Sequence, residues 1–143
     1  GMGKRLGEFT RDNTKCMVPV NGVMLIDRLM SQLSDSGIKK VIIVIGYKGK
    51  ELAEHLGNNF RGVDITYVLN NIYDKTNNIY SLSLARDFLG SDDSILIESD
   101  IIVEDGMLSI LLDNPSPNLA LVAKYQPWMD GTMVRIDDEN NSK

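Results

Sequence analysis

Gly1-Met2-Gly3-Lys4-Arg5-Leu6 places two glycines and two cations in one short stretch, and Lys15 follows after a polar interval. Without Cβ atoms at Gly1 and Gly3 the backbone can take positive φ and lie against phosphate oxygens, presenting N–H groups to them. Gly1, Met2, Gly3, Lys4 and Arg5 are therefore the candidate cradle for a nucleoside triphosphate, with Arg5 and Lys15 as the candidate catalytic cations. The competing reading is a frayed basic N-terminus that contacts nothing. Two standard phosphate motifs fail here. A Walker-type loop needs Ser or Thr directly after Gly-Lys, where Arg5 stands, and the dinucleotide fingerprint needs a third glycine where Leu6 stands.

A second group of chemistry-bearing residues lies near position 100. Apolar Ile95, Leu96 and Ile97 read as a core strand, so Glu98 and Asp100, two residues apart, should point the same way at its C-terminal end. Open α/β sheets bind ligands at that edge. The competing reading is a polar loop with helix-capping duty. Asn77 and Asn78 precede a helical pattern, where side-chain amides can read a base or ribose edge or simply cap the helix. Tyr80, Tyr125 and Trp128 are candidates for holding a quaternary ammonium by cation–π attraction, against the commoner role of packing. Asp130 offers a carboxylate to a primary ammonium instead. His55, on a short polar helix with no second His or Cys nearby, is not a zinc ligand. Cys16 reads as a small buried thiol beside an apolar run, although Lys15 next to it could lower its pKa.

These residues must be positioned by alternating helices and strands. Leu25, Ile26, Leu29, Met30 and Leu33 recur at helical spacing, and Gly37 is placed to stop that helix before a strand from Val41 to Ile45. Lys50 to Leu56 reads as a short helix, Val63 to Leu69 as a strand and Ser81 to Leu89 as a helix entered from the Asn77-Asn78 turn. Ile95 to Ile97 and Ile101 to Val103 flank the acidic positions of the next strand. Met107 to Leu112 is expected to be helical, and Leu119 to Ala123 and Thr132 to Ile136 to be strands. Strand, helix, strand in that order predicts parallel pairing with right-handed crossovers. The polar residues from Asp137 to Lys143 should form an exposed turn or tail.

Composition bounds the possibilities. With 143 residues and 43% apolar content, the chain can bury one modest core, so a single domain over residues 1–143 is expected. The net charge of −5 opposes nucleic acid as a partner and leaves a small anion, met by a local basic loop, as the better ligand. The longest apolar run, Val41 to Ile45, is too short to span a bilayer, so no membrane insertion is expected. A single cysteine permits no internal disulfide and favours a cytoplasmic location.

The pattern Gly-x-Gly-x-Arg-Leu, with Lys15 beyond it, resembles the signature of the nucleotidyltransferases, which join a nucleoside triphosphate to a phosphorylated sugar or alcohol and release pyrophosphate. The resemblance covers nearly the whole chain. Met17-Val18-Pro19-Val20-Asn21-Gly22 and Leu25-Ile26-Asp27 look like the family's segment after its lysine, and Val41 to Tyr47 like its second strand. Asn77-Asn78-Ile79-Tyr80-Ser81-Leu82 and Glu98-Ser99-Asp100 look like the substrate loop and the metal strand. Within the family the chain is most similar to CTP-dependent cytidylyltransferases acting on phosphocholine or 2-aminoethylphosphonate.

The resemblance implies a Rossmann-like three-layer α/β sandwich with a mostly parallel sheet. It implies that Arg5 and Lys4 stabilise the leaving β,γ-phosphates and that Lys15 contacts the α-phosphate or the acceptor. By the same likeness Asp100 holds Mg²⁺ against the triphosphate, with Glu98 as a second carboxylate at the substrate; Asn77 and Asn78 contact the nucleotide; and Tyr80, Trp128 and Asp130 face the acceptor. Three departures accompany it. Thr14 stands where the family has Pro, which should loosen the turn. An apolar strand ending in Ala-Ala usually precedes the glycine loop, and a further acceptor-binding segment usually follows. Neither is present in this sequence, so Gly1 is expected to be a tag remnant ahead of an internal Met2. The sheet should then lack its usual first strand, with a homo-oligomer as one way to compensate. Two alternatives to the cytidylyltransferase reading are a catalytically silent module that binds a nucleotide or a protein partner, and a sugar-1-phosphate nucleotidyltransferase.

Overall fold

Ile26, Leu29, Met30 and Leu33 fall at helical spacing, and in the structure all four are buried on one face of α1 (Leu25–Asp35). The coordinates, a computed structural model, describe residues 14–90, 92–129 and 133–136. Gly1, Met2, Gly3, Lys4, Arg5 and Asp130 therefore lie outside the described residues. Gly37 ends α1 as expected. It takes φ +83°, its N–H reaches the Ser34 carbonyl at 3.0 Å, and the Ile38 N–H reaches that of Leu33 at 3.1 Å. That pair of bonds satisfies the last carbonyls of the helix and requires a left-handed residue, which glycine supplies without a Cβ penalty.

The β-branched run that follows forms β3 (Lys40–Ile45), preceded in the chain by a hairpin of β1 (Pro19–Val20) and β2 (Val23–Met24). That hairpin turns at Asn21-Gly22, where both residues have positive φ, the conformation in which a two-residue turn matches strand twist. From β3 the chain passes through α2 (Gly49–Leu56) and returns as β4 (Asn59–Phe60) and β5 (Val63–Leu69). β3 and β5 pair in parallel from Lys40 with Asp64 to Ile45 with Leu69, and β4 pairs antiparallel with β5. The three-stranded sheet has the order β3-β5-β4, so the fold is α/β with a mostly parallel ladder, as expected. Val63 and Ile65 are buried while Asp64 and Thr66, alternating with them, are exposed, the two-residue period of a sheet with one wet face.

After β5 come α3 (Asn78–Ala85), a single 3₁₀ turn at Arg86–Phe88, and α4 (Met107–Leu112). Leu52 and Leu56 of α2, Val63 and Ile65 of β5, Val103 and Leu108 join the buried face of α1 in one core. Gln32 of α1 fixes the return of the chain to that core, its Nε2 donating to the Val103 carbonyl at 2.8 Å and to Asp105 Oδ1 at 2.9 Å.

Three expected strands are not found. Residues 95–97 and 101–103 are irregular, and so are residues 119–123 and 133–136 apart from an isolated bridge at Ile136. A strand exists only where a neighbour accepts and donates along its backbone, and among the described residues none pairs with these segments. Most of their apolar side chains stay exposed, Leu96 at 75%, although Val103 is buried and Ile97 packs against the core. By contact the chain divides into two compact units, residues 1–112 and 113–143; everything described above except residues 119–136 belongs to the first.

Candidate active site

Lys15 opens a 3₁₀ turn, Lys15–Met17, whose two following residues, Cys16 and Met17, are buried. The buried pair anchors the turn in the core and leaves the lysine at the surface. Thr14, in the place of the family's proline, has φ −76°, within the range a proline ring would impose. Its carbonyl accepts the Met17 N–H at 3.0 Å, and its hydroxyl lies 2.8 Å from Cys16 Sγ. The turn therefore keeps a proline-like conformation by hydrogen bonding.

From that turn Lys15 Nζ reaches Asp100 Oδ2 at 2.9 Å, joining residues 85 apart in the chain. Both side chains are about one-third exposed, 33% and 30%, so the pair is half-buried and open to solvent on one side. Asp100 lies in a turn with Ser99 instead of at a strand end. Two residues earlier, Glu98 Oε1 accepts a hydrogen bond from Asn78 Nδ2 at 2.9 Å. The segment 98–100 thus holds Lys15 with one carboxylate and the start of α3 with the other. Four sequence-predicted residues, Lys15, Asn78, Glu98 and Asp100, are linked through it.

Asn77 has a different task. Its Oδ1 accepts the Tyr80 N–H at 3.2 Å and caps α3, filling one of the donors a helix N-terminus leaves open. Tyr80, one residue of the same turn, is 38% exposed. Trp128 lies in the second unit, in a turn, with 78% of its surface exposed; Tyr125 is exposed in the same unit.

Cys16 is 4% exposed. Burial pushes its thiol pKa up, with a smaller contribution from the Asp100 charge, and hydrogen bonding from the Thr14 and Ser99 hydroxyls works the other way. A protonated thiol is neither a nucleophile nor a metal ligand. His55 is not solitary, because its Nε2 lies 2.7 Å from Asp27 Oδ1 and ties α2 to α1. No cluster of three His, Cys, Asp or Glu side chains that could hold a metal occurs among the described residues. No helix among them is long and apolar enough to cross a membrane.

Two contributors were not singled out from sequence. Asn70, 2% exposed, anchors the loop after β5, and Gly46 gives that loop room to close on the end of β3. A Cβ at Gly46 would lie 2.7 Å from Tyr73 Cβ. An Asn just beyond a strand and a Gly just beyond the next strand of the same ladder are the signals that could have marked them.

Residues 1–132 match the family model for nucleotidyl transferases. The chain is 32% identical over 137 residues to the CMP-5'-(3-aminopropyl)phosphonate synthase of Streptomyces rubellomurinus, an overlap of 96% of this chain and 22% of that protein. It is 30% identical to the 2-aminoethylphosphonate cytidylyltransferase of Lancefieldella rimae, over 96% of this chain and 54% of that protein. With the choline-phosphate cytidylyltransferase of Haemophilus influenzae it shares 27% identity, over 96% of this chain and 59% of that protein. The chain therefore spans between 22% and 59% of the length of these relatives.

Proposed function

The chain belongs to the nucleotidyl transferase family, and on that premise we propose that it transfers a cytidylyl group from CTP to a small acceptor bearing a phosphate or phosphonate, such as phosphocholine or 2-aminoethylphosphonate. The observation that carries this reading is the 2.9 Å contact of Lys15 with Asp100. It puts the cation that follows the glycine motif in sequence beside the acidic residue of the candidate metal segment. The names of the relatives support the choice of nucleotide and acceptor.

In this reaction an acceptor oxygen forms a bond to the α-phosphorus. The bond from that phosphorus to the bridging oxygen breaks, and pyrophosphate leaves with the electron pair. The acceptor is ionised at neutral pH, so no general base is needed. The protein's task is alignment and neutralisation of the oxygens on which charge accumulates. Lys15 contacts the α-phosphate or the incoming acceptor, Arg5 neutralises the leaving β,γ-phosphates with Lys4 beside it, and the amides of Gly1, Met2 and Gly3 cradle them. Asn78 reads the nucleotide, and Asn77 holds the helix that carries it. For the acceptor, Tyr80 offers an aromatic face to its ammonium group.

The residues present fit Mg²⁺. Asp100 and Glu98 are hard oxygen donors two positions apart, and magnesium takes one or two protein carboxylates with phosphate and water completing its shell. Asp100 would hold the ion, with Glu98 beside it; when bound, the ion supplies positive charge to the phosphate oxygens. Lys15 must then share Asp100 or turn to phosphate.

The single cysteine and phosphorylated substrates fit a cytoplasmic location. A second copy of the chain lending a strand beside β3, which among the described residues has β5 on one side only, belongs to the same reading. The deciding experiment measures pyrophosphate release from CTP and Mg²⁺ with phosphocholine, 2-aminoethylphosphonate and a panel of sugar 1-phosphates. Turnover with the first two supports the proposal, and turnover with the sugars alone replaces the acceptor class. Because the chain spans only part of its relatives, a second reading is a module that binds nucleotide without turnover. CTP binding with no pyrophosphate release would establish it.

A further inference from the structure

Asn70 follows β5 directly, and its side chain is 2% exposed, the one buried polar residue among those described. A buried amide is tolerated only when its donors and acceptor are engaged, and here they are. Nδ2 donates to Thr76 Oγ1 at 3.0 Å and to Ser81 Oγ at 3.2 Å. Oδ1 accepts the Ile72 N–H at 3.0 Å, and the backbone N–H donates to the Ile45 carbonyl at 2.8 Å. Thr76 in turn donates to the Ile72 carbonyl at 3.0 Å.

The two residues gripped by Nδ2 have a particular relation to the candidate site. Thr76 is the residue before the Asn77-Asn78 pair, and Ser81 lies three positions after it, in the first turn of α3. One planar amide therefore holds both ends of the segment that presents Asn78 to Glu98. The main-chain bond to Ile45 refers that segment to the end of β3, and the close packing of Tyr73 on Gly46 adds a second point of reference. The sheet is rigid, and a loop tied to it at several places keeps its side chains where they are needed.

We propose that Asn70 is a positioning residue for nucleotide recognition, setting the place of the Asn77-Asn78 pair by clamping Thr76 and Ser81 to the end of the sheet. It touches neither substrate nor the reacting atoms and acts through Asn78. The inference rests on the reading of Asn78 as a nucleotide contact given above.

The test combines amide hydrogen exchange without ligand and CTP affinity with Mg²⁺ present. The variants are Asn70→Ala, Thr76→Val, Ser81→Ala and Asn78→Ala, with the Ser81→Ala/Asn78→Ala double variant. Thr76→Val and Ser81→Ala each cut one arm of the clamp at a partly exposed position, so they decide the matter where Asn70→Ala does not fold. Loss of an arm is expected to speed exchange at residues 77–81 by about tenfold while β5 amides keep their protection. CTP binding should weaken about tenfold, since a displacement of about 1 Å suffices for losses of this order or more. In the Asn78→Ala background Ser81→Ala should add almost nothing, because both act through the same amide. A purely structural role would lower stability and leave the two effects on CTP affinity additive, which overturns the proposal. Unchanged exchange at residues 77–81 in the folded clamp variants overturns it as well. Failure of the underlying reading is distinct: Asn78→Ala would then bind CTP as the parent protein does.

Discussion

Lys15 Nζ and Asp100 Oδ2 lie 2.9 Å apart although 85 residues separate them in the chain, and the contact brings the cation proposed for phosphate beside the carboxylate proposed for a metal ion. Each side chain is about one-third exposed, and ion pairs so placed contribute about 0–1 kcal/mol to stability. Lys15→Met and Asp100→Asn should therefore each shift the thermal midpoint of the unliganded protein by only a few degrees. The effect on ligand should be far larger. Stabilisation by CTP with Mg²⁺, expected for a nucleotide that binds only the folded chain, should disappear in Asp100→Asn. Thermal melts with and without nucleotide check both halves, and a large loss of unliganded stability would make the pair structural.

Adjacent asparagines should behave oppositely. Asn77 caps α3 through Tyr80 N–H, so Asn77→Ala is expected to cost about 1 kcal/mol of folding stability. Asn78 donates to Glu98 across an exposed contact, so Asn78→Ala should leave the urea midpoint nearly unchanged and weaken CTP binding. Urea denaturation alongside nucleotide titration separates the two, and equal effects in both assays would contradict the division of labour.

Gly46→Ala tests the close approach at the end of β3. The new Cβ would stand 2.7 Å from Tyr73 Cβ and 2.8 Å from its Cγ, atoms that cannot swing away as the tip of a flexible side chain can. Overpacking of this kind costs about 1–3 kcal/mol. Tyr73 belongs to the loop after β5 that also carries Asn70 and Thr76, so the variant should also speed amide exchange over residues 70–77. A fully stable Gly46→Ala protein with an unaltered loop would show that Tyr73 can yield without cost.

How far these relations could be read from the sequence depends on how local their causes are. The apolar period of α1, its stop at Gly37 and the β-branched run of β3 depend on residues within one or two turns, and they stand where expected. The Asn21-Gly22 hairpin is equally local, since Asn-Gly is a strong turn signal. Residues 95–103 are another matter. Their composition is that of a strand, but a ladder needs a neighbour, and pattern within a segment carries no information about what lies beside it. In the candidate site, Lys15, Asn78, Glu98 and Asp100 were recognisable by type and spacing. Asn70 was marked only by its place just beyond a strand, which does not show that its amide is buried, and the partner of His55 was invisible because Asp27 lies on another helix.

Alkaline pH offers the last prediction, and its sign follows from burial. The Cys16 thiol is held above its ordinary value chiefly by desolvation, and the Tyr67 phenol, which donates to the Gly57 carbonyl at 2.6 Å, is raised for the same reason. In both cases the folded protein retains a proton that the unfolded chain releases. Stability from such groups is complete below the unfolded pKa values, about 9 for the thiol and 10 for the phenol. It declines as pH rises from there toward the folded values, because in that window the unfolded state binds fewer protons. Urea midpoints should hold steady from pH 7 to 8.5 and fall between pH 9 and about 10.5. Cys16→Ala should remove part of that fall while lowering the plateau, since it leaves a small cavity beside Met17 and the Thr14 hydroxyl without its sulfur partner. Alkylation of Cys16 in the native protein at pH 8 should be slow and should quicken in parallel with unfolding. A thiol that reacts rapidly under native conditions would place Cys16 at the surface and remove the alkaline argument with it.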